Sequence, residues 1–253
     1  MKKEILTFFA ALVLYTKIPC PFVLTETHFA QSPRYFTLVG WIVGMFSGCV
    51  FLLMHCLFST QLSVLLTIVF TILLTGGINE QGLSAVCNGF GKGWSKEGIL
   101  AIMRDSSTGI FGVLSVVSIL LFRLLSLSEI GEMLIPYAII AGQSISRFFA
   151  VSLMYTHEYV TESYTRQTGR KYLKLSFLML ILSGVIGILP ILLLKNFYVF
   201  FSIIPLLLIR WILGIFYKKW IGGFNEDCLF ATQQIGEIVF YLFVLAAPWK
   251  FFL

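Results

Sequence analysis

Seven apolar runs separated by short polar stretches constrain this chain more than any motif in it. They are Tyr35–Phe58, Leu62–Thr75, Ile110–Leu127, Met133–Met154, Leu175–Leu194, Phe197–Tyr217 and Ile235–Ala247. A helix needs roughly 17–25 apolar residues to cross a hydrocarbon core. Leu62–Thr75 and Ile235–Ala247 are short and are expected to borrow flanking residues or tilt little. Lipid offers no partners to backbone N–H and C=O groups, so runs of this kind fold as helices. Composition agrees, because 253 residues that are 58% hydrophobic and 12% charged cannot cover a soluble surface. The expected fold is therefore all-α, a polytopic transmembrane bundle forming one integral membrane domain over residues 1–253. The opening stretch Ile5–Ile18 is apolar but is followed closely by Pro19, and it reads as an interfacial helix. No small-residue cleavage site follows it, so it does not read as a signal peptide.

Charge orients the bundle. Three longer polar segments, Gly76–Gly109, Tyr155–Lys174 and Lys218–Gln234, fall on the same side as the N-terminus. Thirteen Lys and Arg lie on that side, Lys195 and Lys250 on the other, and Arg123, Arg147 and Arg210 within spans. The positive-inside bias places the thirteen in the cytoplasm of a cell with the protein in its inner membrane. The net charge of +6 is thereby assigned to lipid orientation, and no nucleic-acid partner is expected. The five cysteines and three histidines show no metal-ligand spacing and read as structural.

Chemistry is expected in the segment after the second span. Gly76-Gly77 stops that span and lets backbone or ligand approach closely. In the following run, Ile78-Asn79-Glu80-Gln81-Gly82-Leu83-Ser84-Ala85-Val86-Cys87-Asn88-Gly89, positions 81, 85 and 88 share one helix face. Carboxylates at such a spacing would hold a magnesium ion and a diphosphate.

This run, together with Ile102-Met103-Arg104-Asp105-Ser106, Gly109 and Gly112, resembles the cobalamin synthase family, the adenosylcobinamide-GDP ribazoletransferases. Lys17-Ile18-Pro19, Phe36-Thr37-Leu38-Val39-Gly40, Ser146-Arg147, Gly222-Gly223 through Asp227, and Gly236-Glu237 extend the likeness in order along the chain. The resemblance implies that adenosylcobinamide-GDP and alpha-ribazole, or its 5′-phosphate, are joined with release of GMP and with magnesium as cofactor. It also implies site residues. Arg104, Asp105 and Arg147 are the catalytic candidates, and Gly76, Gly77, Asn79, Gln81, Gly82, Asn88, Gly89, Ser106 and Ser146 the substrate-binding ones. Glu80, Asp105, Asp227 and Glu237 are the candidates for metal.

The chain departs from the family pattern where that pattern is acidic. Asn79 stands for His, and Gln81, Ala85 and Asn88 stand for Asp. Amides offer a neutral oxygen to a hard cation and alanine offers nothing, so metal binding and turnover are expected to be weakened.

Structural readings compete at several positions. Asp105 could pair with Arg104 or cap a helix near Ser106, and Glu226-Asp227 could be a solvated turn. Arg147 could meet phosphate or pair with Glu237, while Arg123 and Arg210 could snorkel or pair structurally. Lys92, Trp94 and Lys96 read as headgroup anchors. The leading reading is ribazole transfer. Its alternative is a non-catalytic corrinoid-binding or assembly protein, with a homo-oligomer or a corrinoid-pathway protein as further partners. Transport fits poorly, because the polar motifs gather at one surface instead of the bilayer midplane.

Overall fold

A computed structural model describes residues 2–105, 109–160 and 176–247. Eleven α-helices account for nearly all of it: α1 (Lys2–Tyr15), α2 (Glu26–Gln31), α3 (Phe36–His55), α4 (Thr60–Thr75), α5 (Ile78–Lys92), α6 (Lys96–Arg104), α7 (Ile110–Glu129), α8 (Ile135–Thr156), α9 (Phe177–Ile188), α10 (Ile203–Ile221) and α11 (Glu226–Ala246). Short 3-10 turns precede α3, extend α9 to Leu194 and lead into α10. No strand occurs among the described residues, only a single bridge between Tyr159 and Phe224.

Six helical units are long and apolar enough to cross a membrane, and α4 with α5 forms a seventh candidate, bent by 87°. The protein is thus a multi-pass membrane bundle. Burial ranks its members. In α8 83% of the apolar window is buried, against 22% in α7 and in the unit containing α10, so α8 is central and α7 and α10 line the outside. The α8 polar residues Gln143, Ser144, Ser146 and Arg147 are all buried, facing protein where lipid would penalise them.

The apolar runs found from sequence correspond to these helices, with two differences. The segment Gly76–Gly109 is mostly helical, forming α5 and α6. The polar segment Lys218–Gln234 shrinks to a short turn, because α10 runs on to Ile221 and α11 starts at Glu226. Asn225 caps α11 by accepting from the Cys228 N–H at 3.0 Å. Gln233 and Gln234 read as loop residues in sequence, yet both are fully buried on α11, where the Gln233 amide donates to Glu237 one turn on and lies 3.5 Å from Ser146 of α8, and the Gln234 amide donates to Glu80 of α5.

The most extensive helix–helix contact among the described residues joins α3 to α8. A Cβ at Gly40 would sit 2.5 Å from the carbonyl oxygen of Gln143, and one at Gly44 only 2.7 Å from the Ile140 Cα. Small residues four apart let two membrane helices meet backbone to backbone, which gains dispersion where lipid gives no hydrophobic drive.

Helix α1 packs one side, with Ala10, Ala11 and Tyr15 buried, and leaves Ile5 and Val13 open. Its first turn is strapped to the 3-10 turn ahead of α3. The Tyr35 hydroxyl donates to Glu4 Oε2 at 2.8 Å, and Arg34 Nη2 lies 2.7 Å from the same oxygen. The Tyr35 hydrogen bond, aided by Arg34, holds the Glu4 carboxyl below its ordinary range. A depressed folded-state value stabilises above the unfolded pKa of roughly 4.3 and is lost as pH falls through the folded value. A spin label at position 5 is therefore expected to gain mobility between pH 6 and pH 3.5. Glu4→Gln should show the mobile spectrum at both; equal pH sensitivity in that variant would rule the strap out.

Candidate functional site

Two consecutive glycines build the elbow on which the site depends. Gly76 and Gly77 both take left-handed backbone angles, φ 69° and 71°, ending α4 and starting α5. A residue with a Cβ would be destabilised by roughly 1–2 kcal/mol at each. The Lys17 N–H donates to Leu74 O at 2.7 Å, and its side chain crosses the elbow, with Cγ and Cδ 3.1 Å from where a Gly76 Cβ would be.

Beyond the elbow, α5 presents Asn79, Gly82, Ala85, Asn88 and Gly89 to the interior. Gly82 lies against Phe230 of α11 and Gly89 against Met103 of α6. Positions 81, 85 and 88 share a face as expected, but their surroundings differ. Gln81 is exposed, whereas Ala85 and Asn88 are buried. Asn88 Oδ1 accepts from the Gly112 N–H at 2.9 Å, so its carboxamide occupies the first turn of α7. A Cβ at Gly109 would lie 2.5 Å from Lys92 Nζ and 2.6 Å from Asn88 Oδ1, which brings Lys92 to the same helix end. Asn88 therefore serves as a cap delivered from a neighbouring helix, meeting free N–H groups that carry partial positive charge.

Behind α5 runs a buried polar network that sequence reasoning did not assemble. Its centre is Glu237 on α11, fully buried. Glu237 accepts from Gln143 Nε2 at 2.7 Å, Gln233 Nε2 at 2.7 Å, the Tyr241 hydroxyl at 2.9 Å and Arg123 Nη2 at 3.1 Å. Arg123 also donates to Gln234 Oε1, and Gln234 Nε2 donates to Glu80 Oε1 at 2.8 Å. Glu80 Oε1 lies 3.8 Å from Arg123 Nη1. The network thereby ties α5, α7, α8 and α11 together. Its signature was the spacing, since Gln143 and Arg147, and Gln233, Glu237 and Tyr241, each recur every four residues inside apolar helices.

Several candidate residues take different surroundings from those expected. Arg147 is fully buried and does not pair directly with Glu237. It donates to the Gln143 backbone oxygen at 2.7 Å and to Gln143 Oε1, lies over the Phe36 ring at 5.3 Å, and reaches Glu237 only through Gln143. Ser146 is equally enclosed, with Gln233 Nε2 at 3.5 Å. Arg123 pairs and does not snorkel. Arg210 donates to the hydroxyl and carbonyl of Ser152, both at 3.0 Å, and to Thr156, satisfying the C-terminal end of α8.

Arg104 and Asp105 are exposed at the end of α6, whose last turn Asp105 closes with its N–H. Asp227 lies in the first turn of α11. Ser106 lies outside the described residues. Among the described residues no three His, Cys, Asp or Glu side chains gather as a metal site, so Glu80, Asp105, Asp227 and Glu237 do not converge. Near the α10–α11 turn, burial and then Glu226 and Asp227 push the Tyr159 phenol well up, while burial and then Arg210 and Lys218 push the His157 imidazole down.

The elbow at Gly76, Gln81 of α5 and the Arg104-Asp105 end of α6 are each exposed surface, and a closed charge network lies behind α5. Such a surface can bind and orient phosphates through backbone N–H groups and cations. Comparison with known proteins matches residues 7–245 to the family described as Cobalamin-5-phosphate synthase. A protein of Shewanella frigidimarina named adenosylcobinamide-GDP ribazoletransferase is 35% identical over 251 residues, covering 96% of this chain and 95% of its own. Its namesake in Shewanella oneidensis is 34% identical over 250 residues, with the same coverage. That of Shewanella piezotolerans is 32% identical over 255 residues, covering 98% of each chain. No solved structure matches.

Proposed function

The chain belongs to the cobalamin-5-phosphate synthase family, and from that premise we propose that it joins adenosylcobinamide-GDP to alpha-ribazole or its 5′-phosphate with release of GMP. The match along nearly the whole chain carries the reading. In the reaction a ribazole hydroxyl attacks the phosphorus on the cobinamide arm. One P–O bond forms, the P–O bond to the GMP phosphate breaks, and the hydroxyl proton passes to the Asp105 carboxylate. Such a step needs alignment and charge neutralisation more than a covalent intermediate. In this reading Arg104 neutralises phosphate oxygens and Asp105 accepts the hydroxyl proton, while Gly76, Gly77, Gln81 and the open end of α5 admit the diphosphate; the exposure of Arg104, Asp105 and Gln81 supports it. Ser146 and Arg147 support the site from inside the bundle. The cluster of cations at this end argues for a cytoplasmic orientation in the inner membrane.

Magnesium enters this proposal only as a counter-ion of the diphosphate. The residues do not fit a protein-built site: Asn88 Oδ1 is engaged by Gly112, Ala85 offers no ligand, Glu80 faces Gln234, and Glu237 is saturated with donors. The same observation favours a second reading, in which substrates bind and chemistry is slow or lost.

Purified protein given adenosylcobinamide-GDP, alpha-ribazole and magnesium is expected to release GMP slowly. The triple variant Gln81→Asp, Ala85→Asp, Asn88→Asp should release it faster by on the order of 10²-fold, the size of one preorganised electrostatic contribution. Equal rates would show that the altered acidic positions do not limit the reaction. Tight binding of adenosylcobinamide-GDP with no GMP from either protein would support the binding-only reading.

A further inference from the structure

We propose that Lys17 and the pocket beside it form a binding site for the phosphate-bearing end of an aromatic nucleoside, a deepening that rests on the ribazole-transfer reading. The pocket is an open cleft of about 490 Å³ between α1 and α2, with Lys17, Ile18, Pro19, Phe22 and Phe29 among its walls. That volume falls within the range of small-molecule sites, roughly 300–1,000 Å³.

Three features select the ligand. Lys17 is the sole charged residue of the lining, and it has no acidic partner among the described residues. Its stem crosses the exposed Gly76, and the next residue, Gly77, is the N-cap of α5. The Lys17 stem therefore rests on the elbow that opens the fifteen-residue α5, and a helix start, like an ammonium, favours an anion. Phe22 and Phe29 then supply flat apolar surface, with Phe22 fixed edge-on against Phe9 at 5.0 Å. A phosphate held by Lys17 and the elbow, with its aromatic ring against these walls, satisfies the cation and the apolar lining together. Two sources share that chemistry, the GMP portion of one substrate and the 5′-phosphate of alpha-ribazole.

The test measures binding of GMP and of alpha-ribazole 5′-phosphate, by calorimetry, to the full chain in uncharged detergent. Lys17→Met is expected to weaken the nucleotide that uses this site at least tenfold, while Lys17→Arg restores most of the affinity. The matching unphosphorylated nucleoside should bind equally to the native chain and to Lys17→Met. Which of the two nucleotides is affected names the source. The site is overturned if Lys17→Met leaves both affinities unchanged, if neither nucleotide binds the native chain, or if phosphatidylglycerol vesicles displace the nucleotide, which would make it a headgroup site. Turnover separates the two claims. GMP release that is insensitive to Lys17→Met removes the site and keeps the transfer reading, whereas Lys17-dependent binding without GMP release keeps the site and removes transfer.

Discussion

Glu237→Ala is expected to give protein that unfolds far more readily than the native chain in the same detergent, with a loss of roughly 3–5 kcal/mol. Four side chains donate to this one carboxylate, and all are buried in the bundle. Truncation strands each donor and leaves Arg123, 3% exposed, with the partial compensation of Glu80 at 3.8 Å and the Gln234 amide. An uncompensated buried cation is the larger part of the loss, because each orphaned neutral donor contributes only about 1–3 kcal/mol and the helices can relax around it. The double variant Arg123→Leu, Glu237→Leu removes both charges and is expected to melt above either single variant. Thermal unfolding of the native chain, Arg123→Leu, Glu237→Leu and the double variant closes a mutant cycle. If the double variant shows the sum of the single losses, Arg123 and Glu237 are not coupled and the network is a set of independent contacts.

The network also marks where sequence reasoning ran out. The spans were legible because unbroken apolar runs admit only one structure in lipid. Their polar interruptions were ambiguous, since Gln233 and Gln234 look like loop residues until a facing amide is known. Arg147 illustrates this: its position two turns inside a span suggested phosphate or Glu237, and the intervening Gln143 amide could not be read from one helix alone. Position 88 failed for a related reason. Its place on the face shared with 81 and 85 follows from helix periodicity, but its task depends on the first turn of α7 landing on it, which no local spacing encodes. The stop at Gly76-Gly77 was readable from chemistry, and the 87° angle it sets was not.

Gly40 and Gly44 carry the second large effect, and Gly48 supplies its control. At Gly40 an added Cβ would meet the Gln143 carbonyl oxygen at 2.5 Å and the Arg147 Cδ at 3.0 Å; at Gly44 it would meet the Ile140 Cα at 2.7 Å. These obstacles are largely backbone, so rotamer changes cannot clear them and α8 itself must move. At Gly48 the nearest atom, Pro136 O, is 3.4 Å away, an ordinary contact. Gly40→Ala and Gly44→Ala are therefore expected to lose about 1–3 kcal/mol, the usual range for overpacking, with leucine at either site preventing recovery of folded protein. Gly48→Ala should melt with the native chain. The consequence reaches the site, because displacing α8 carries Gln143 away from Glu237 and slackens the network behind α5. Gly40→Ala should accordingly depress both thermal stability and GMP release, each measured against Gly48→Ala. If all three alanine variants melt alike, α3 and α8 do not meet backbone to backbone, and the close packing that places Gln143 beside Glu237 is wrong.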